Sequence, residues 1–326
     1  MSAQVKVKFT ILFLLMSFLN PHLLLALDYS DMYSTLSDTF AGYVDPNEGL
    51  TIFRSLYVPS GGRAEALGTA FSALSDDISF FEYNPAASCI LTNTEIAAFH
   101  NSWIADSAIE TLAFTQRKNN FGYGAAFKCF YLPFTEYNIF GEKVSRGYYS
   151  ETLVTLNLSY NFLAGYTFKG VATGINFKGG FRNIPDYADN DTNQVIKGSG
   201  LAQSGIAGMI DAGLIFRFNF GKLYSSREPN LNIGLSAHNI GMGFTGFGQK
   251  IQKDDALPSY GAIGLSYRMF RPIVFTLEFQ KPFNLLDLSE SEQFAIAMGV
   301  SVQTTDFFAF QGGFLLRGGN PRFTLG

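Results

Sequence analysis

The chain is short of charge, histidine, cysteine and tryptophan, and each shortage narrows what it can be. Charged residues make up 15% of its 326 residues, against roughly a quarter in ordinary soluble domains. The three histidines, His22, His100 and His238, are too few and too scattered to suggest a metal site. No G-x-S-x-G nucleophile elbow occurs. Asp76-Asp77 could suggest paired carboxylates, but no titratable residue stands beside the pair in sequence, so it reads as a polar turn. "GMGFTG" (Gly241, Gly243, Gly246) has dinucleotide-type glycine spacing without a surrounding βαβ unit or a following helix, so loop glycines explain it. Nothing in the chain specifies covalent chemistry or a cofactor, and an enzyme is not expected. The two cysteines, Cys89 and Cys129, could pair in an exported protein, but the composition is not that of a disulfide scaffold and pairing is not expected. No apolar run approaches the roughly 20 residues of a spanning helix.

What the chain has in excess is aromatic residues and glycine: 34 Phe, 16 Tyr and 33 Gly against a single Trp. Aromatic-rich, Gly-rich and charge-poor is the composition of strands that face lipid on one side. The first residues read as a secretory signal: Lys6 and Lys8 form a basic region, "FTILFLLMSFL" (Phe9 to Leu19) an apolar one, and "NPHLLLA" ends in a cleavage point near Ala26. Removing Lys6 and Lys8 leaves 21 basic against 27 acidic side chains, with no electrostatic footprint for nucleic acid. An exported chain without a spanning helix crosses a membrane only as a closed barrel.

From Thr94 onward the sequence alternates. In "YYSETLVTLNLSYNF" one face carries Tyr148, Thr152, Val154, Leu156, Leu158, Tyr160 and Phe162, the other Glu151, Thr155, Asn157, Ser159 and Asn161, a period of two. Tyr148 to Tyr160 spans roughly 40 Å, or about 28 Å of height at a 45° tilt, close to the apolar band and aromatic girdles of outer-membrane barrels. Similar segments recur around Val171–Lys178, Ile210–Asn219, Leu231–His238, Ile273–Gln280 and Gln293–Gln303. The competing architecture is a soluble sandwich with its apolar face inward. Strand length and aromatic bracketing favour the barrel. About eleven strands are visible, and the expected fold is an all-β, transmembrane antiparallel β-barrel of about 12–14 strands. Because a barrel leaves no edge in lipid, either the sequence continues beyond "PRFTLG" or fewer strands close it. In a barrel Lys128, Asp211, Arg217, Arg268, Glu278 and Arg317 point into the lumen, and their mixed signs argue against an ion-selective ring. "RKNN" (Arg117 to Asn120) and "SSREPN" (Ser225 to Asn230) read as short turns. Asn183–Gly200 and Asn239–Pro258 read as long loops, which usually face outside.

One stretch is of another kind. "GGRAEALGTAFSALSDDISFFEYNPAAS" (residues 61–88) begins like a small-residue helix, turns at Asp76-Asp77, and stops at Asn84-Pro85-Ala86, where Pro85 removes a donor and holds Asn84 extended. A compact, pre-shaped insert ahead of the strands fits a plug inside a barrel. The stretch resembles the N-terminal signature of the FadL-like outer-membrane proteins: an Arg, small residues around Gly-x-Ala-Phe, an acidic pair, and aromatic-x-Asn-Pro-Ala. "LNIGLSAHNIG", "LPSYGAIGLSYRM" and "VFTLEFQKP" also look like the barrel half of this group, which includes a PorV-like branch and spirochaetal members.

The resemblance implies a hatch within a 14-stranded barrel, with hydrophobic substrates such as long-chain fatty acids passing from an outer groove to an interior site and leaving sideways beside a kinked strand. Asn84, Pro85 and Ala86 then match the hatch motif, and Arg63, Gly68, Asp76 and Asp77 its lead-in. The residues from Asp28 to Tyr57 are a longer lead than such a hatch has. Phe121–Tyr131, with Gly122, Gly124 and the following Pro133, is the candidate kinked strand. Phe244 and Phe247 are the candidate ligand-catching loop residues. The expected organisation is a signal peptide (1–26), an extension and plug (27–93) and a barrel (94–326) in the outer membrane of a diderm bacterium. Its partners are outer-membrane lipid and a hydrophobic ligand, and not nucleic acid. The expected activity is uptake of hydrophobic small molecules; the alternatives are a PorV-like docking protein for secreted proteins and a general porin.

Overall fold

The computed structural model describes residues 34–35, 38 and 45–326, apart from 139, 165–168, 185–186, 189–194, 197–203, 246–255 and 306. The expected signal peptide, His22 and Phe247 lie outside the described residues. The chain divides into two units, Met1–Val44 and Asp45–Gly326. The sheet and the segment inside it both belong to the second, so residues 45–93 do not form a separate body.

Strict alternation over long segments gives strands, and short polar turns between them give antiparallel neighbours. Twelve strands form one sheet in chain order: β1 (Glu95–Ser102), β2 (Ala108–Lys118), β3 (Phe121–Tyr137), β4 (Lys143–Ala164), β5 (Lys169–Asn183), β8 (Gly205–Phe218), β9 (Leu231–Thr245), β10 (Ser259–Phe270), β11 (Ile273–Phe283), β12 (Ala295–Thr305), β13 (Phe308–Arg317) and β14 (Asn320–Leu325). A separate two-stranded ribbon, β6 (Tyr187–Ala188) and β7 (Val195–Ile196), stands within the expected loop after β5. The fold is all-β and antiparallel, a barrel-type sheet wrapped around an inner segment. One strand more is present than the alternation displayed, because β14 is too short to show a period. The expected closure is not made: β1 pairs with β2 and β14 with β13, and the two edges do not pair with each other.

The two faces of the sheet are opposite in character. On β4, Val154 (48% exposed), Leu156 (55%) and Leu158 (43%) point outward, while Leu153 (2%), Thr155 (8%) and Asn157 (1%) are covered. The same division holds on β11, where Phe275, Leu277 and Phe279 are exposed and Thr276, Glu278 and Gln280 are buried. The polar face is the inside. A soluble sandwich has the reverse arrangement.

The inner face is filled by residues 52–91. Phe53, Leu67, Phe71 and Phe80 are completely buried, and so are Ala64, Ala86, Ala87 and Cys89. Helix α1 (Gly62–Ala66) is shorter than "RAEALGTAFSAL" suggests. Gly68 (φ 64°) and Thr69 (φ 69°) are left-handed and end it. Helix α2 (Phe80–Tyr83) follows, and the 3-10 turn Pro85–Cys89 completes the segment. Asn84 caps that turn, its Oδ1 accepting from Ala86 N at 3.1 Å, with Pro85 at the first helical position where a missing donor costs nothing.

One further expectation is corrected. β9 runs on to Thr245, so Asn239–Thr245 is strand and not loop, and Phe244 is an exposed outward-facing strand residue paired with Ile206. At the candidate kink in β3, pairing with β4 runs without a register shift from Phe121 to Glu136. The irregularity in this part of the wall lies between β8 and β9, where the register passes from Ile210↔Ile240 to Ala212↔Ala237. Asp211 therefore faces both His238 and Asn239, and Asn239 takes φ 56°, which Asn tolerates better than most residues.

Candidate functional site

Close approach of the inner segment to the wall depends on glycine pairs. Gly174 and Gly213 are cross-strand partners on β5 and β8, Gly234 and Gly264 on β9 and β10, and Gly299 and Gly313 on β12 and β13. All face inward. A Cβ at Gly234 would fall 2.5 Å from Ser72 O, and one at Gly299 would fall 2.7 Å from Leu67 O. At Gly174 and Gly213 it would overlap Pro85 and Asn84 outright. Gly122, proposed above for a kink, does the same work against Ser88 and Cys89, and Gly124 lies beside Phe81. Pro133 lies further along β3, paired with Tyr148.

Between these bays, wall side chains bond the main chain of the inner segment. Lys128 Nζ donates to Val58 O at 2.5 Å, Asn157 Nδ2 to Pro85 O at 2.8 Å and Asn176 Nδ2 to Phe81 O at 3.1 Å. His238 Nε2 lies 2.9 Å from Tyr83 O, and Tyr260 Oη donates to Glu82 O at 3.3 Å. Glu278 Oε2 accepts from Phe71 N and Ser72 N at 3.0 and 2.8 Å. In return, Asn84 Nδ2 donates to Ser72 O at 2.9 Å and to Leu214 O of the wall at 3.2 Å. A buried peptide group without a partner costs about 1–3 kcal/mol. The wall thus satisfies a segment with little regular structure of its own.

The hub of this network is Asp211, which is wholly buried. Lys178 Nζ lies 2.7 Å from Oδ2, Asn176 Nδ2 donates to Oδ2 at 2.9 Å, and Asn239 N donates to Oδ1 at 2.8 Å. His238 Nδ1 lies 3.5 Å away, and its ring stacks on Tyr260 with centroids 4.6 Å apart. The β8–β9 bulge exists where this carboxylate takes the Asn239 amide out of the ladder. A second buried pair joins Lys128 and Glu82 at 2.6 Å. Burial works to raise the Glu82 carboxyl, but Lys128 and two hydrogen bonds from Ser60 more than offset it and hold the carboxyl below its ordinary value.

Of the six lumen candidates, Lys128, Asp211 and Glu278 are buried on the inner face, bound as described. Arg217, Arg268 and Arg317 share that face and are half-buried. Arg317 donates from Nη2 to Gln280 Oε1 and lies over the Tyr57 ring, 4.3 Å from its centroid. The sequence reading missed a partner for the acidic pair: Arg63 Nη1 lies 2.5 Å from Asp76 Oδ1 and 2.9 Å from Asp77 Oδ2, bracing the turn across 13 residues. Gly68 packs with its backbone against Phe314 and Gly313. Cys89 is buried in the inner segment and Cys129 lies on the outward face of β3, and both are free thiols. His100 pairs with Glu110 at 2.7 Å on the exterior, and no group of three potential metal ligands occurs among the described residues.

The strap ahead of this network, Asp45–Tyr57, is bonded to Ala256, Glu292 and Gln293, which lie between strands. Asp45 Oδ2 accepts from Gln293 N at 2.5 Å, Ile52 N donates to Ala256 O at 2.9 Å, and Arg54 Nη1 lies 2.5 Å from Glu292 Oε1. Beneath it, against β13 and β14, is a cavity of about 430 Å³. A smaller space of about 40 Å³ lies between Phe81, Glu82 and the β2–β5 wall, room for a water molecule or two.

Compared with known proteins, residues 32–326 match the model of an uncharacterised protein family, UPF0164. One UPF0164 protein of Treponema pallidum (strain Nichols) is 36% identical over 237 residues, 70% of this chain and 51% of its own length. Another from the same organism is 28% identical over 276 residues, 81% of this chain and 54% of its own length. The chain spans about half the length of these curated relatives. Among solved structures it is similar to the Pseudomonas putida toluene transporter TodX, with TM-score 0.48 and 11% identity over 80% of this chain and 85% of that one. A TodX monoaromatic hydrocarbon channel deltaS2 mutant gives TM-score 0.47 and 12% identity, over 81% and 82%. Likeness at that level is too distant to carry a function across. The relatives are spirochaetal, and UPF0164 is the family reached, where the sequence had pointed to the FadL-like group.

Proposed function

The chain belongs to the uncharacterised protein family UPF0164, and from that premise we propose that it is a non-enzymatic outer-membrane barrel that takes up hydrophobic small molecules, with residues 45–91 as its plug. One observation carries this reading: the exterior is the apolar face. Val154, Leu156 and Leu158 on β4, Phe275, Leu277 and Phe279 on β11, and Met298 and Val300 on β12 are all around half exposed. At about 25 cal/mol per Å² of apolar surface, such a face is stable in contact with lipid and costly in water. The buried polar face and the enclosed segment are what a plugged barrel requires.

An apolar solute crosses lipid tails readily but a hydrated surface layer poorly. A barrel with a catching site at its mouth shortens the aqueous path. Long-chain fatty acids are the cargo we assign, and Asn84, Pro85 and Ala86 hold the plug's turn. A general porin is disfavoured, because residues 52–91 occupy the lumen. The docking alternative is favoured by a separate observation, the many bonds that fix the inner segment in place.

Reconstitution into phosphatidylcholine liposomes tests the reading. Labelled palmitate is expected to accumulate faster than in protein-free liposomes, without swelling in small sugars, and Asn84→Ala is expected to slow it while the barrel still folds. Protein that stays dispersed without detergent, or that leaves palmitate flux unchanged, overturns the transport reading. Co-purification with a secreted protein and no bound lipid would replace it with docking.

A further inference from the structure

We infer that the cavity under the strap is a binding site for a single-chain amphiphile with a compact anionic head, seated on Arg317, an assignment that rests on the proposed hydrophobic cargo.

The charges around the cavity are matched except for one. Arg54 is taken by Glu292 at 2.5 Å, with Glu48 at 3.9 Å. Glu82 is taken by Lys128 at 2.6 Å, and the charge facing Glu65 is that of Arg322. Among the described residues Arg317 has no carboxylate partner. Its Nη2 bonds the neutral Gln280, and its Nε is buried with nothing to donate to. Gln280 Nε2 in turn donates to Glu278 Oε1 at 2.7 Å, and the other Glu278 oxygen is spent on Phe71 N and Ser72 N. The nearest acid on the wall is therefore turned away from Arg317. Tyr57 stacks on one face of the guanidinium, and of its nitrogens Nη1 is neither bonded to Gln280 nor buried. A guanidinium edge is a fork that fits a carboxylate or a phosphate monoester.

Leu56, Val58, Trp103, Ile104 and Leu315 give the cavity an apolar side along which a chain would lie, within a lining that also carries Glu65, Thr69 and Thr324. Its volume of about 430 Å³ is within the range of small-molecule sites, roughly 300–1,000 Å³. Ile104 and Thr324 border it from either side of the unpaired β1 and β14 edges. The strap residues Arg54 and Tyr57 roof it. Of the long lead before the hatch, Arg54 and Tyr57 cover the head-group end.

Trp103 is the only tryptophan of the chain and lines the cavity, so its fluorescence reports occupancy directly. The experiment uses full-length protein in phosphatidylcholine nanodiscs, titrated with decanoate, decyl phosphate and decanol. Saturable changes are expected with at least one of the two anions, at concentrations about tenfold lower than with decanol. Which anion binds tighter assigns the head group. Arg317→Gln is expected to weaken anion binding about tenfold, the worth of a charge-assisted hydrogen bond, and to leave decanol unchanged. Arg317→Lys keeps the charge without the fork and should fall between. Decanol binding as tightly as both anions, or unaltered anion binding by Arg317→Gln, overturns the site. Saturable anion binding without palmitate uptake in liposomes removes the transport reading and leaves the site standing.

Discussion

Residues 67–89 and residues 45–57 both lie against the inside of the sheet, yet they are held in different ways. The first group is bonded to the strands themselves. Its carbonyls are met by Asn157, Asn176, His238 and Tyr260, its amides by Glu278, and its backbone enters bays made by paired glycines. The second group is bonded mainly to connections: Ile52 to Ala256, Arg54 to Glu292, and Asp45 to Gln293, with one bond to the wall, from Ser55 N to Glu151 on β4. Buried, fully partnered groups act as part of the core, whereas contacts to loops at a partly exposed rim are weak and exchangeable. One piece is a spindle around which the wall is built, and the other is a cover.

The sharpest break of this contrast is at Asp211. Asp211→Asn leaves the Lys178 ammonium buried without its counter-charge. Removing one member of a buried pair costs about 3–5 kcal/mol, and the Asn239 amide loses its charged acceptor as well. Denaturant unfolding in detergent should show a loss of that size. A loss under about 1 kcal/mol would mean that water reaches Asp211 and that the inner segment is not core. Replacing Lys178 and Asp211 together by apolar residues should cost less than the two single changes summed.

Next in size is the glycine bay. Gly213→Ala drives a Cβ into Asn84 and Pro85, and such overpacking costs about 1–3 kcal/mol. Gly208, on the same strand but facing outward, has nothing within 4 Å of an added Cβ, and Gly208→Ala is its control. The expected pattern is destabilisation and faster proteolysis of residues 67–89 for the first and neither for the second. Equal effects at both positions would trace the loss to strand propensity and dissolve the argument for close approach.

What the sequence disclosed follows the same divide. The alternation on β4 could be read directly, since Tyr148, Leu156 and Tyr160 fall on one parity and Glu151 and Asn157 on the other. So could the insert, through Asn84-Pro85, because proline restricts its neighbour wherever it stands. The glycine bays could not, because Gly174 and Gly213 mean something only as partners and register is not written in either strand alone. The bulge at Asn239 was hidden for the same reason: its cause is the Asp211 carboxylate, 28 residues away. Arg63 was legible as part of a signature but not as the partner of Asp76 and Asp77, since only the turn between them brings the three together. Glycine in a strand marks close approach as well as a kink, and the approach of Ser88, Cys89 and Phe81 to Gly122 and Gly124 was not legible from β3 alone.

The smallest effect on stability should come from the strap, and there it is informative by being small. The Arg54 side chain is 35% exposed and its partner Glu292 only 6%. An ion pair with one partner at the rim is worth less than a fully buried one. Arg54→Gln should therefore lower the unfolding midpoint less than Asp211→Asn does. The local consequence is larger than the global one. Ile52 N donates to Ala256 O at 2.9 Å, and that bond holds only while the strap is down. Without the Arg54–Glu292 pair the strap opens more often, so the Ile52 amide should exchange with solvent several-fold faster while the Phe71 and Ser72 amides, bound to Glu278, keep their protection. Hydrogen exchange resolved to single amides separates the two. If all three amides accelerate together, strap and spindle open as one cooperative unit and the distinction between cover and core is lost.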